Sequence, residues 1–258
     1  MDTTPLISVI TVCRNSGESL AHTLRSVGEQ DWPHIEHIVI DGASIDGTVE
    51  IIERFRSKLA HFSSQPDKNL YDAMNKGLDC ASGDIICFLH AKDYYVSSTV
   101  LSRVASQMRE FGLDALIACV EFFHEVNPER MVRRYRSGIF KPELLAWGWM
   151  PAHPALFLSR SVVQRVGHFK VDYQIASDFE FIVRAFHGHN LKYQYLPDVV
   201  VRMPMGGIST KSWGSSVLLN REVLRACREN GLCTNMLKIL SKYPVKIFLE
   251  IILKFIKF

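Results

Sequence analysis

Two apolar, β-branched runs of this chain each end on an acidic turn. Ile35–Ile40 leads straight into Asp41, and Ile85–Leu89 leads into His90-Ala91-Lys92-Asp93. Short apolar runs bounded by turn residues read as buried strands. Acids placed just past such strands collect at the carboxyl edge of a parallel sheet, where open α/β folds bind nucleotides. A third acidic run, Ala176-Ser177-Asp178-Phe179-Glu180, lies toward the end of the chain and supplies a candidate base. The pattern points to a nucleotide-using enzyme.

The rest of the first half alternates in the same sense. Leu6–Cys13 reads as a buried strand. Asn15, with Glu18 three residues on, has the spacing of a capping box. Leu20, Leu24 and Val27 share one helical face. Trp32-Pro33 breaks the chain before the strand that ends at Asp41. Asp46-Gly47-Thr48 opens a helix carrying Val49, Ile52 and Phe55, and Asn69–Cys80 reads as a helix stopped by Ala81-Ser82-Gly83. Val100–Phe111 is helical and Ala115–Phe123 is a strand. This rhythm predicts a parallel sheet. After residue 125 it changes. Arg133, Arg134 and Arg136 surround Tyr135, and Trp147-Gly148-Trp149-Met150-Pro151 reads as a bulky loop. Ser161–Val166 and Ser177–Phe186 read as helices, Leu191–Arg202 as a last strand region, and Ser215 onward as helical.

Composition narrows the function classes. With 258 residues, 47% hydrophobic and 22% charged, there is material for one large α/β domain and an appendage. The net charge of +3 is too small to imply a nucleic-acid partner. The start, Met1-Asp2-Thr3-Thr4-Pro5, lacks the basic and apolar stretches of a signal peptide. No apolar run reaches the ~18 residues of a spanning helix. The six cysteines form no C-x-x-C pair, which predicts free thiols in a reducing compartment.

Three motifs resemble the family 2 glycosyltransferases. They are Ser8-Val9-Ile10-Thr11 with Asn15, Asp41-Gly42-Ala43-Ser44-Ile45-Asp46-Gly47-Thr48, and the run Pro66 to Gly77 (Pro-Asp-Lys-Asn-Leu-Tyr-Asp-Ala-Met-Asn-Lys-Gly). The last run is similar to members that build bacterial exopolysaccharides, including colanic-acid-type enzymes. His153, Phe157, the Ala176-Ser177-Asp178 run and Gly206-Gly207-Ile208-Ser209 fit the same subgroup. The resemblance covers roughly residues 6 to 210. It implies an α/β GT-A fold: a single Rossmann-like, mostly parallel sheet flanked by helices over residues 1–210, with a C-terminal helical extension over 211–258. It also implies a hexosyltransferase-type enzyme working with inversion on a nucleoside-diphosphate sugar.

On that resemblance Thr11, Arg14, Asp41, Asp67 and Lys68 are donor-binding positions. Asp41 would accept from a base N–H or ribose hydroxyls, or else cap its own turn together with Ser44. Relatives often carry two acids here, whereas Gly42 follows Asp41. Lys68 would meet the diphosphate, or form a solvated pair with Asp67. Asp93 is the metal candidate, since Mn2+ or Mg2+ bridging a diphosphate needs carboxylate oxygens. His90-Ala91-Lys92-Asp93 stands where relatives have an Asn-Ser-Asp-Asp type run, so the last acid alone remains. Asp178 is the general base that inversion requires, or a helix-start cap, with Glu180 as its rival. His153 shapes an acceptor pocket or is a core histidine. Trp147 and Trp149 stack on a sugar or pack beneath their loop. Arg133, Arg134 and Arg136 meet an acceptor phosphate or form a solvated face.

The tail 244–258 repeats Lys246, Glu250, Lys254 and Lys257 along one stripe of an otherwise apolar segment. At ~1.5 Å per residue it is ~22 Å long, short of a ~30 Å hydrocarbon core. It therefore reads as an amphipathic helix lying in a membrane surface, or packed on the domain or on a second subunit in a homo-oligomer. The resulting expectation is a peripheral enzyme on the cytoplasmic, inner face of the cell membrane, acting on a lipid-linked saccharide in exopolysaccharide or O-antigen assembly. The alternative is a nucleotide-sugar-binding protein without catalysis.

Overall fold

A computed structural model of the chain describes residues 4–124, 127–206 and 213–255. Its strands are β1 (Ile7–Cys13), β2 (Ile35–Asp41), β3 (His61–Ser64), β4 (Ile85–Phe88), β5 (Tyr94–Tyr95), β6 (Ala115–His124), β7 (Asn127–Tyr135), β8 (Leu156–Ser159) and β9 (Tyr193–Pro204). They join in one sheet of order β3-β2-β1-β4-β8-β6-β9-β5, with β7 pairing the later part of β6 beyond the stretch that pairs with β8. The β1–β2, β1–β4 and β2–β3 pairings are parallel, as the alternating pattern predicts. Past β4 the sheet becomes mixed. β8 is antiparallel to both β4 and β6, while β6 and β9 run parallel.

The helices are α1 (Glu18–Gly28), α2 (Thr48–Arg54), α3 (Leu70–Cys80), α4 (Val100–Phe111), α5 (Arg160–Val166), α6 (Ser177–Phe186), α7 (Trp213–Glu229) and α8 (Met236–Phe255). α1 buries Leu20, Thr23, Leu24 and Val27, the one-face spacing of an amphipathic helix. The capping box expected at Asn15 does not form. α1 starts at Glu18 behind Gly17, with no side-chain cap. Asn15 lies at φ +48 and its side chain accepts from the Ile45 N–H at 3.0 Å instead. A genuine cap forms at Asn69, whose Oδ1 accepts from the N–H groups of Tyr71 and Asp72.

Alternation along β1 sends Ile10 and Val12 to one face and Ile7 and Val9 to the other. The second face is covered by α4 through Val104, Ala105 and Met108. The first is covered by α3, α5 and α6, and the same core takes in Val223, Ala226 and Cys227 of α7 and Ile239 of α8. The expected helical extension thus shares the core of the sheet. All six cysteines are free. α8 continues through Pro244 to Phe255. The side chains of the expected amphipathic tail beyond residue 245, and Gly207-Ile208-Ser209, lie outside the described residues. No helix among the described residues is long and apolar enough to cross a membrane.

Candidate active site

Parallel pairing brings the carboxyl ends of β1, β2 and β4 side by side. Cys13 is the register partner of Asp41, and Ala91, past the end of β4, donates to Val12 O at 3.3 Å. Asp41 and the His90–Asp93 turn therefore share one edge, about two strand spacings or ~10 Å apart. Three residues other than glycine adopt left-handed backbone among the described residues: Asn15, Ala43 and Lys92. Each follows one of these three strand ends. Strain of this kind, on the order of 1–3 kcal/mol per residue, concentrates at functional sites.

The loops after β1 and β2 are bonded to each other. Ser44 Oγ accepts from the Asn15 N–H at 2.7 Å, and Thr48 Oγ1 accepts from Ser16 and Gly17. Asp41 is fully buried. Its Oδ2 accepts from Ser44 N at 2.9 Å and Ser64 Oγ at 2.6 Å, and its Oδ1 from Ser44 Oγ. In this arrangement Asp41 holds the turn from behind, with both oxygens engaged. Thr11 is also buried, 3.0 Å from His37 Nε2. Burial pushes that imidazole down to about 3, so it is neutral.

Arg14, Gly42 and Asp67 converge. A Cβ on Gly42 would lie 3.0 Å from Asp67 Oδ2 and 3.3 Å from Arg14 Cδ. The space a second acid would need after Asp41 is thus occupied by a carboxylate and a guanidinium stem. Asp67 is ion-paired with Lys76 of α3, and that hydrogen bond raises the Lys76 ammonium above its ordinary value. The expected pairing partner, Lys68, is exposed, and its backbone N–H goes to Asp72 at 3.1 Å.

Asp93 is 5% exposed. Burial pushes its carboxyl well above the usual carboxylate range, against a hydrogen bond from the His90 backbone. Among the described residues no cluster of three or more His, Cys, Asp or Glu side chains is arranged for a metal ion. Asp93 would hold a divalent ion only with help from substrate phosphate oxygens, the way Mg2+ is commonly bound. A cation there would offset the desolvation that raises its carboxyl.

α3 carries the connection to the third acidic run. Asn75 clasps Phe169 through both backbone groups, at 2.9 and 2.8 Å, and Asn69 Nδ2 donates to Val171 O at 2.7 Å. The Tyr71 hydroxyl faces the backbone N–H groups of Ser177 and Asp178 at the start of α6. The run 66–77 gave no hint of these roles, since the partners lie some hundred residues on. Asp178 is half-buried, and its Oδ1 accepts from the Phe179 N–H at 2.8 Å. Burial, aided by the charge of Glu222, raises its carboxyl to about 6. A carboxylate poised there suits proton abstraction near neutrality. Glu180, the rival, is fully buried and held by Arg184 at 2.8 Å and Lys170 at 3.0 Å.

The remaining candidates resolve by packing. His153 stacks on Phe88 at 5.2 Å and on His90 at 5.8 Å. Neither of its ring nitrogens has a hydrogen-bond partner among the described residues. Burial pushes His153 down to about 3 and His90 to about 4, so both are neutral. Trp147 has the Lys238 ammonium 5.5 Å from its ring centre. Arg134 pairs with Glu121 at 3.6 Å and Arg133 lies over Phe122, so both brace the β6–β7 pair.

Comparisons with known proteins bear on the family and the fold. The family model "Glycosyl transferase family 2" matches residues 8–167. An uncharacterized glycosyltransferase of Mycobacterium tuberculosis (strain ATCC 25618 / H37Rv) is 34% identical over 197 residues, which cover 72% of this chain and 70% of that protein. A PGL/p-HBAD biosynthesis glycosyltransferase of the same strain is 28% identical over 210 residues, covering 80% and 79%. The crystal structure of S. aureus TarS 1-349 in complex with UDP-GlcNAc superposes with a TM-score of 0.70 at 19% identity, over 86% of this chain. This chain spans 66% of that one and 40% of the longer TarS chain. The TarS likeness identifies the GT-A fold. With more than half of the sequence matched by one family model, the chain is a glycosyltransferase and belongs to family 2.

Proposed function

We propose that this glycosyltransferase moves a sugar, with inversion, from a nucleoside-diphosphate donor to a hydroxyl of a lipid-linked saccharide, in exopolysaccharide or O-antigen assembly. The single observation that carries the reading is Asp178: a half-buried carboxylate raised to about 6, tied through α3 to the sheet edge that bears Asp93. The UDP-GlcNAc complex of TarS and the PGL/p-HBAD biosynthesis relative support the donor and acceptor classes.

In this reading Arg14, Asp67 and Lys68 meet the donor, and Thr11 and Asp41 hold the strand ends beneath it. Asp93 is the protein ligand for Mn2+ or Mg2+. Such an ion, when bound, neutralises charge on the leaving diphosphate. Asp178 takes the acceptor hydroxyl proton as that oxygen bonds to the anomeric carbon. The bond from that carbon to the phosphate oxygen breaks, the nucleoside diphosphate leaves with its electron pair, and the proton rests on Asp178. Residues 1–210 form the catalytic domain and 211–258 its extension. α8 exposes Leu237, Leu240, Tyr243 and Val245. Those exposed side chains, with the apolar sequence of residues 244–258, support peripheral seating on the inner face of the cell membrane.

The test is Asp178→Asn with a lipid-linked acceptor. Transfer falls by at least about a hundredfold, while nucleotide-sugar binding stays at wild-type affinity. Full turnover in that variant removes Asp178 from the mechanism.

A further inference from the structure

The segment leading into α6 has no cap of its own. Ala176 sits at its N-cap with no side-chain hydrogen bond. Yet three successive backbone N–H groups point to one carboxylate. Glu222 Oε1 accepts from Gln174 at 2.8 Å, and its Oε2 accepts from Ile175 at 2.9 Å and Ala176 at 2.8 Å. Convergent N–H groups of this kind make an anion cradle, here filled from inside the protein. Glu222 lies on α7, 7% exposed, and beyond the residues the family model matches.

We infer that Glu222 is a positioning residue for the transfer reaction, fixing the backbone that aims Asp178 and placing a negative charge beside it. This rests on Asp178 being the base. The frame of Asp178 is held by Glu222 from α7, and the Tyr71 hydroxyl of α3 faces it from the other side. The groups acting on Asp178 are its own and the Phe179 backbone N–H, Tyr71 from α3 and Glu222 from α7. On its own helix, Glu180 is bound to Arg184 and Lys170. The Glu222 charge acts in the same direction as burial, favouring the protonated form of Asp178. α7 therefore reaches toward the base, both lying beyond residue 167 where the family match ends.

The experiment compares the full chain with Glu222→Gln, Glu222→Asp and Asp178→Asn, measuring kcat and donor KM across pH together with Tm. The side-chain amide introduced by Glu222→Gln presents a donor to N–H donors and cannot accept all three bonds. For Glu222→Gln, kcat falls about tenfold or more through misplacement of the base. Donor KM stays within about twofold, since ground-state donor binding is untouched. The ascending limb of the pH profile moves to lower pH by about half a unit, because a like charge has gone. Glu222→Asp keeps the charge and shortens the reach, so kcat falls with the limb in its wild-type position. That variant carries the test should the Gln form not fold. Wild-type kcat and limb in either folded variant overturn the inference. So does a joint fall of kcat, Tm and donor affinity with the limb unmoved in Glu222→Gln. Transfer surviving in Asp178→Asn instead overturns the base assignment itself, whatever Glu222 does.

Discussion

Gly77 of α3 lies against Ile10 of β1 so closely that a methyl group on it would sit 2.4 Å from Ile10 Cγ2. In an open helix, Gly→Ala gains about 1 kcal/mol. Here Ile10 is fully buried in the centre of the sheet and has nowhere to move. Overpacking costs about 1–3 kcal/mol and reverses the sign. Gly77→Ala therefore lowers the urea midpoint at unchanged m-value. An equal or higher midpoint would show that α3 can lift off β1.

Asp178 trades stability for chemistry. Its carboxyl is raised from 3.8 to about 6, so the folded state binds that proton more tightly than the unfolded chain does. The cost is fully present above pH 6, shrinks as pH falls toward 3.8, and is absent below. A rise of that size corresponds to about 3 kcal/mol at most, less after allowing for its partial exposure. Asp178→Asn is thus about 1–2 kcal/mol more stable at pH 8, and the gain disappears near pH 3.5. Wild-type kcat rises with pH through about 6 as the base ionises. A flat kcat between pH 5 and 7 would assign proton transfer elsewhere.

Glu180 behaves oppositely. It is buried without exposure and receives Arg184 through both oxygens, at 2.9 and 2.8 Å, with Lys170 at 3.0 Å. Removing its charge takes the carboxylate from Arg184, which is 20% exposed, while Lys170 keeps Glu229 at 2.9 Å, so the loss is roughly 1–3 kcal/mol. Glu180→Gln lowers Tm, but turnover per folded molecule stays at the wild-type level. Turnover lost in a folded Glu180→Gln protein would make it the base.

How much of this was legible in the sequence depended on how each interaction is encoded. β1, β2, β4 and β6 are buried apolar runs, and their ends fixed the sheet edge in advance. β8 has only four residues behind the short 3-10 turn His153–Ala155, so no periodicity develops. β7 carries Arg130, Arg133 and Arg134, and pairs on one side with β6; its polarity hides it. Asn15 has the right spacing for a cap, but the loop after β2 offers it a better donor in Ile45. The Glu222 clamp joins residues 46 to 48 apart. A glutamate on an amphipathic helix ordinarily faces water, so nothing local distinguishes it.

Asp93 gives the clearest ligand-linked expectation. It is 5% exposed and its carboxyl is pushed well above the usual range by burial. Charged and unmatched, it costs the folded state free energy; met by a divalent ion and a diphosphate, it becomes a ligand. In metal-free buffer at pH 8, Asp93→Asn is therefore more stable than the wild type, because the cost of burying a carboxyl that is ionised in the unfolded chain is gone. Adding Mn2+ and a nucleoside diphosphate reverses the order. Saturation at a hundred times Kd stabilises the wild type by about 2.7 kcal/mol, while the Asn form gains little. Mn2+ alone shifts the wild type only slightly, since Asp93 belongs to no cluster of three or more candidate ligands among the described residues. Differential scanning fluorimetry with a chelator control reads all three arms. A full shift with Mn2+ alone would mean a protein-built metal site, and equal shifts in both proteins would place the ion away from Asp93.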